Sequence, residues 1–444
     1  MANFAKPSAP RFSVEVYQNE FLPQGGRDVH AIVTVTSTGG ATATRATAAQ
    51  GTAAVVIMVD CSGSMEYPPE KMRGAREATA AAVDTLRDGT SFAVIAGTHV
   101  AKEVYPGQGR LAVADPVTRA QAKEALRGLS SGGGTAIGTW LRLADGLLRQ
   151  APAAIRHGIL LTDGRNEHED PAVLRATLDA CAGRFTCDAR GVGTDWEVKE
   201  VTGIASALLG SADIVADPAH LAEDFTRMME NVMGKEVADV ALRLWTPVGA
   251  EIQYVKQVAP AVHDLTDRRT EAGPRAGDYP TGSWGDESRD YHVCVRVPNA
   301  SVGQEMLAAR ATLVLPGAAG TPGQSPLVLA QGLVRAVWTD DLAASTAINP
   351  QVAHYTGQAE LAQAIQQGLE ARKLGDVDGA TAKLGRAVQL ASASGNADTA
   401  KLLAKVVDVV DAAAGTVRLK AKVADADEMT LETRSTQTVR VKKS

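Results

Sequence analysis

Val55-Val56-Ile57-Met58-Val59-Asp60-Cys61-Ser62-Gly63-Ser64-Met65 is the most informative run in this sequence. Its first five residues are all apolar and mostly β-branched. A short run of this kind between small and polar neighbours is the pattern of a strand buried on both faces. The strand ends on an aspartate, and the tight turn after it offers the hydroxyls of Ser62 and Ser64. In open α/β sheets ligands bind beyond the carboxyl ends of the strands, so Asp60, Ser62 and Ser64 are the first candidate site residues.

From this run outward, residues 53–234 alternate short apolar segments with longer amphipathic ones. The apolar segments are 55–59, 92–96, 155–161, 186–192 and 214–216. Helical patterns fall at about 69–87, 115–128, 137–150, 171–182, 197–209 and 218–233, with Pro69, Pro171 and Pro218 near helix starts, where proline is tolerated. Alternating strands and helices predict a mainly parallel, Rossmann-like sheet with helices on both faces. Two more loops return to the same edge of that sheet. Ser130-Ser131-Gly132-Gly133-Gly134-Thr135-Ala136 is glycine-rich and precedes a helix. Gly158-Ile159-Leu160-Leu161-Thr162-Asp163-Gly164 is a second strand ending in an aspartate. Asp60, Ser62, Ser64, Thr135 and Asp163 thus all offer oxygen, a hard donor set that selects Mg²⁺, Mn²⁺ or Ca²⁺. With only two carboxylates, the ion stays under-neutralised and keeps a position open for an acidic side chain of a protein partner.

These residues resemble the von Willebrand factor A domain. The motif D-x-S-x-S stands as Asp60-x-Ser62-x-Ser64, the family's distal threonine matches Thr135, and its distal aspartate matches Asp163. All stand in the family's order and strand-loop setting, across about two fifths of the chain. The resemblance implies a metal-dependent adhesion site. In it, the two serines hold the metal directly, and the threonine and aspartates hold it directly or through water.

The flanks read differently. Residues 11–37 form two antiparallel strands around Gly25-Gly26, and Thr38–Thr52 is a Gly/Ala/Thr linker. Residues 237–339 return to β patterning, interrupted by Gly/Pro-rich segments at 270–285 and 316–326, and predict an antiparallel β-sandwich. An isolated hairpin is marginal in water, so strands 11–37 should join the sandwich, making the α/β domain an insertion within it. Residues 353–414 predict a small three-helix region, with helices at about 357–374, 377–393 and 397–413. Part of it looks like a single tetratricopeptide-type unit, but a solenoid needs about three repeats. Residues 425–444 are polar and read as a flexible tail. Thr430, Thr433, Thr436 and Thr438 in it are candidates for phosphorylation and docking to a phosphothreonine-reading protein.

Composition sets the outer limits. The chain has 444 residues, 45% hydrophobic and 22% charged, which excludes a mostly disordered chain. A net charge of −6 and 4% aromatics argue against a nucleic-acid binder. The four cysteines, Cys61, Cys181, Cys187 and Cys294, lack CxxC spacing and fit reduced thiols. The sequence shows no signal-peptide h-region and no run long enough to cross a bilayer, so a cytoplasmic location is expected. There is no phosphate loop, nucleophile elbow or HExxH motif, and Glu167, His168, Glu169 and Asp170 read as a solvated acidic loop, with partner choice or a metal contact as the alternative. The expectation is a non-enzymatic, intracellular bacterial interaction or scaffold protein, in stress or phospho-signalling, that binds a partner carboxylate through Mg²⁺. The alternative is a non-ATPase adaptor subunit of an AAA+ machine of MoxR or chelatase type.

Overall fold

The structure, a computed structural model, describes residues 11–38, 53–153, 155–315, 326–438 and 440. The expected linker beyond Thr38 and most of the Gly/Pro segment at 316–326 lie outside the described residues. Two compact units emerge: residues 53–238 with Gly282–Gly285, and residues 11–38 with Asp239–Thr281 and the chain from Asp286 onward.

The first unit is built on a sheet with seven strands among the described residues. Its order is Ala212–Val215, Thr186–Val192, Ile155–Thr162, Ala53–Asp60, Ser91–Gly97 and Ala101–Tyr105, with Ala112–Val113 also beside Ser91–Gly97. The first five of these strands run parallel, and the two short strands beside Ser91–Gly97 are antiparallel to it. All eight residues of Ala53–Asp60 are buried, as an apolar run at the centre of a sheet covered on both faces requires. Helices Glu70–Thr85 and Leu221–Met233 pack together, and Met72, Ala75, Ala78, Phe225, Met229 and Val232 share one core with Val55, Ile57 and Val59. Helix Ile137–Leu148 packs on Ala53–Asp60 and Ser91–Gly97, with Trp140 and Leu141 fully buried. Helix starts follow local chemistry. Asp170 accepts from the Ala172 N–H at 2.8 Å, with Pro171 next in line, and Asp115 forms a capping box with Thr118.

The second unit holds two sheets. One runs in the order Arg11–Gln18, Asp28–Thr38, Glu287–Arg296, Glu251–Ala259 and His263–Asp264, antiparallel throughout. Strand Asp28–Thr38 therefore takes as its neighbour a strand that follows the whole α/β segment in sequence; Val33 stands opposite Tyr291. The other sheet runs Thr270–Gly273, Ala276–Trp284, Val237–Trp245, Glu305–Leu315, Leu327–Trp338 and Phe21–Leu22. Residues 270–285, read from sequence as a Gly/Pro connection, are thus largely strand. Tyr279, Thr281 and Trp284 are buried there, and Asp278 takes both ends of the Arg243 guanidinium at 2.7 and 2.8 Å.

Two further expectations are corrected at the carboxyl end. Helices Pro350–Lys373 and Val377–Ala393 are followed by a third that stops at Val406 rather than near Ala413. Val407–Asp411 instead pairs with Thr416–Leu419 across a turn at Gly415, whose φ is +68°. The β-branched run Val406, Val407, Val409 and Val410 favours strand over helix. The region expected as a flexible tail is ordered over its described part. Asp425–Arg434 is a helix that buries Leu431 and Thr433. Beyond it, Thr438 donates its N–H to the Pro260 carbonyl at 3.0 Å. Arg440 reaches Asp290 through two bonds of 2.9 and 3.0 Å. Thr433 is buried, and the Thr438 hydroxyl is bound to the Val258 carbonyl, so modification of either requires undocking. Among the described residues no helix is long and apolar enough to cross a membrane.

Candidate metal centre

The sheet order of the first unit explains why distant segments meet. Ala53–Asp60 comes first in the sequence and lies between Ser91–Gly97 and Ile155–Thr162. The chain moves out on one side and then returns to the other, which opens a crevice at the carboxyl ends of the central strands. Asp60 ends the first strand and Asp163 follows its neighbour. The loop carrying Thr135 is stitched to the same edge. Gly63 N–H donates to the Gly133 carbonyl at 2.9 Å and Gly132 N–H to the Cys61 carbonyl at 2.8 Å.

The five side chains singled out from sequence fall around one point. Ser62 Oγ and Ser64 Oγ are 2.9 Å apart, and Ser64 Oγ donates to Asp163 Oδ1 at 2.7 Å. Asp60 Oδ1 accepts the Ser62 N–H at 2.8 Å. Thr135 makes no hydrogen bond to these four, but its hydroxyl faces the same space. A Cβ placed on Gly164 would stand 3.1 Å from Ser64 Oγ, 3.5 Å from Thr135 Oγ1 and 4.0 Å from Ser62 Oγ. Glycine at 164 thus leaves free the space that three hydroxyls line. Asp60 and Asp163 are fully buried, and Ser62 and Thr135 nearly so.

Two supporting residues, Thr162 and Lys71, carried no signal of their own in the sequence. Thr162 donates its hydroxyl to Asp60 Oδ2 at 2.6 Å, so both oxygens of that carboxylate are occupied by donors. Lys71, buried on the helix after the motif, donates to Asp163 Oδ2 at 2.8 Å and to the exposed Asp195 at 3.0 Å. Burial works against its charge, but the bonds and charges of the two aspartates outweigh that and hold its pKa above the ordinary value. The only hint in sequence was a lysine on the apolar face of a predicted helix, eleven positions after Asp60. The loop at 166–170 is also more structural than its composition suggested. Asn166 and Glu169 accept the Ile137 and Gly138 N–H groups at 2.7 and 2.8 Å and so cap the helix that follows Thr135. His168 Nδ1 accepts the Thr135 N–H at 3.2 Å, and the His168 backbone N–H donates to the Thr135 carbonyl at 3.0 Å. His168 sits against Gly134, where a Cβ would lie 2.3 Å from the imidazole ring; this close approach accounts for the glycine.

The electrostatics follow from this burial. Desolvation pushes the Asp60 carboxyl up to about 6, against the hydrogen bonds from Ser62 and Thr162 that lower it, and the Asp163 charge adds to the rise. Burial also pushes the Cys61 thiol up to about 12, so Cys61 is inert packing between the ligand-bearing positions. Among the described residues no group of three or more His, Cys, Asp or Glu side chains gathers in metal reach; the donors here are chiefly hydroxyls. Removing the Thr162 hydroxyl tests the supporting shell. Thr162→Val is expected to weaken Mg²⁺ binding by roughly 10–100-fold, the usual cost of an outer-shell partner, as read by calorimetric titration.

A family model described as the von Willebrand factor type A domain matches residues 53–214, and one for the von Willebrand factor type A C-terminal domain matches residues 389–435. A solved structure described as a von Willebrand factor type A protein from Catenulispora acidiphila is 52% identical, covering 98% of this chain and 99% of its own, with a TM-score of 0.91. A paralog of ArnB from Sulfolobus acidocaldarius has the same fold at 14% identity, covering 96% of this chain and 98% of its own, with a TM-score of 0.57. An uncharacterized protein of Synechocystis is 29% identical over 217 residues, 47% of this chain; the match spans about half (49%) of that relative's length. Identity of this level over nearly the whole of a solved relative, together with the match at 53–214 that contains all five oxygen-bearing residues, makes this chain a member of the von Willebrand factor type A family.

Proposed function

We propose that this protein is a non-enzymatic interaction or scaffold protein. In this reading a divalent ion, Mg²⁺ first and Mn²⁺ or Ca²⁺ next, sits among Asp60, Ser62, Ser64, Thr135 and Asp163 and takes a carboxylate from a protein partner. The donor spacing supports Mg²⁺. Adjacent ligands of an octahedral ion at 2.0–2.1 Å are about 2.9 Å apart, and the Ser62–Ser64 and Ser64–Asp163 oxygen pairs stand at 2.9 and 2.7 Å. When bound, the ion supplies an electrophilic anchor for an anionic side chain.

The observation that carries this reading is the ion pair between Lys71 and Asp163. Of the two carboxylates at the site, one is already neutralised on its far oxygen by a fixed cation. A divalent ion added to Asp60, Asp163 and Lys71 leaves one net positive charge, opposed by Asp195, which shares Lys71 from an exposed position. Such a centre is satisfied by an anionic group from outside.

Two measurements test it. In capture from native lysate, a partner should be retained by wild type with Mg²⁺ and lost both with EDTA and with Asp60→Ala in Mg²⁺. Equal retention in all three sinks the reading, and capture of an AAA+ ATPase would point to the adaptor role. The second measurement is pH. A proton on Asp60 competes with the metal, and the carboxyl titrates near 6. Mg²⁺ affinity should therefore be flat above about pH 7 and fall toward tenfold per unit below about pH 6. Calorimetry at pH 7.5, 6 and 5 reads this directly; a flat profile would show that no proton on Asp60 competes with the metal in this range.

A further inference from the structure

A second cluster of donor atoms lies in the other unit, on the sheet that contains Asp28–Thr38, Glu287–Arg296 and Glu251–Ala259. His30 stands opposite Cys294, Cys294 opposite Tyr254, and His292 opposite both Ile32 and Lys256. His30, His292 and Tyr254 therefore lie on one face of three adjacent strands. That face is the reverse of the one carrying the buried Val29, Ala31 and Val33. His292 is buried, while His30 and Tyr254 are half-buried and open to solvent on one side.

Their polar atoms converge. His30 Nδ1 is 3.1 Å from Tyr254 Oη and 3.3 Å from His292 Nε2, and Tyr254 Oη is 3.3 Å from His292 Nε2. The rings are tilted or edge-on to each other, with interplanar angles of 46°, 56° and 85°, rather than stacked. Hydrogen bonding alone does not satisfy this triangle. A phenol has one proton to give and lone pairs to receive. Each imidazole nitrogen either donates or accepts. At most two of the three edges can then be hydrogen bonds with a proton of their own, and the third brings polar atoms together for no bond. A cation at the centre satisfies all three at once.

We propose that His30 Nδ1, His292 Nε2 and Tyr254 Oη form a site for a transition-metal ion of the Zn²⁺ class, with a fourth position open to water. Tetrahedral ligands 2.0–2.1 Å from Zn²⁺ are about 3.3 Å from one another, and the three observed separations match that edge. Imidazole nitrogens select this class over Mg²⁺ and Ca²⁺, so the site is chemically distinct from the oxygen-rich one. Each imidazole turns one ring nitrogen into the triangle, His30 Nδ1 and His292 Nε2, and a neutral imidazole binds metal through either nitrogen. Burial pushes the Tyr254 phenol up; on binding, the oxygen–metal bond forms as the phenol proton leaves to solvent. The ion would clip together three strands, one of which precedes the α/β segment in sequence while two follow it.

The test uses the full chain, stripped with EDTA, exchanged into buffer with excess Mg²⁺ and titrated with ZnCl₂ against a competing chelator. One strong equivalent of Zn²⁺ is expected for wild type, for Asp60→Ala and for Cys294→Ser. His30→Ala and His292→Ala should each weaken it by more than about 100-fold, and Tyr254→Phe by roughly 10–100-fold. Absence of a strong equivalent in wild type, its persistence in His292→Ala, or its loss in Asp60→Ala would each overturn the proposal. Should the histidine variants fail to fold, Co²⁺ substitution of wild type decides the matter. Intense visible d–d bands of a tetrahedral site are expected, and a weak octahedral spectrum overturns the assignment.

Discussion

Asp60→Asn is expected to bind Mg²⁺ more than about 100-fold more weakly than wild type, beyond the cost of losing an outer-shell partner, and yet to be the more stable protein when metal is absent. The first half follows from replacing one of two carboxylates in the donor set. The second follows from the cost of burying a charge. Asp60 is fully buried, and its carboxyl titrates near 6 instead of the usual 3.8. The unfolded chain thus releases this proton first as pH rises. Metal-free stability should fall between about pH 4 and pH 6 and stay lower above that, by about 3 kcal/mol for a shift of this size. The neutral amide escapes that loss. Thermal or urea unfolding in EDTA should place Asp60→Asn above wild type at pH 7.5 and level with it near pH 4. Adding Mg²⁺ should raise wild type alone. A variant that is less stable than wild type in EDTA at pH 7.5 would show that the carboxylate has a structural role without metal.

The second large effect is expected at Asp290, in the other unit. This carboxylate is 2% exposed. It accepts from Thr34 Oγ1 at 2.6 Å, from the Tyr355 hydroxyl, and from Arg440 Nε and Nη2 at 2.9 and 3.0 Å. Four donors from three separate parts of the chain converge on it. Asp290→Ala leaves two hydroxyls facing a cavity, while the Arg440 guanidinium is 38% exposed and can turn to water, so the cost is about 1–3 kcal/mol, that of buried donors left unpaired. Chemical unfolding should show a loss of that size in this unit. Trypsin should also cut at Arg434 faster, because Arg440 no longer holds the carboxyl-terminal segment. Unchanged unfolding would mean that water replaces the carboxylate at little cost.

The parts of the molecule that were legible in sequence share a property: their signal is contiguous. Asp60, Ser62 and Ser64 sit within five positions after an unbroken apolar strand, and Thr135 and Asp163 each close a short motif of fixed form. Lys71 and Thr162 are as close to the centre, but each is a single polar residue in an apolar element and has no pattern to announce it. The carboxyl-terminal segment misled for the opposite reason. Its composition is polar, yet Leu431, Thr433 and Arg440 suffice to dock it, and composition averages over such anchors. The hairpin at 407–419 was hidden in a stretch whose alanines read as helix, while its valines set the strand.

The pairing of Asp28–Thr38 with Glu287–Arg296 has a consequence for biosynthesis. Residues 28–38 leave the ribosome about 250 residues ahead of their partner strand. At elongation rates of 5–20 residues per second they wait roughly 12–50 s for it. In that interval the contiguous α/β segment at 53–238 has everything its central sheet needs and can fold on the nascent chain. The two early strands, rich in valine and threonine, remain an open edge of the kind that aggregates. Production of this protein should therefore depend on nascent-chain chaperones that cover residues 11–38, and a circular permutant placing those strands next to residue 287 should be freed from that dependence.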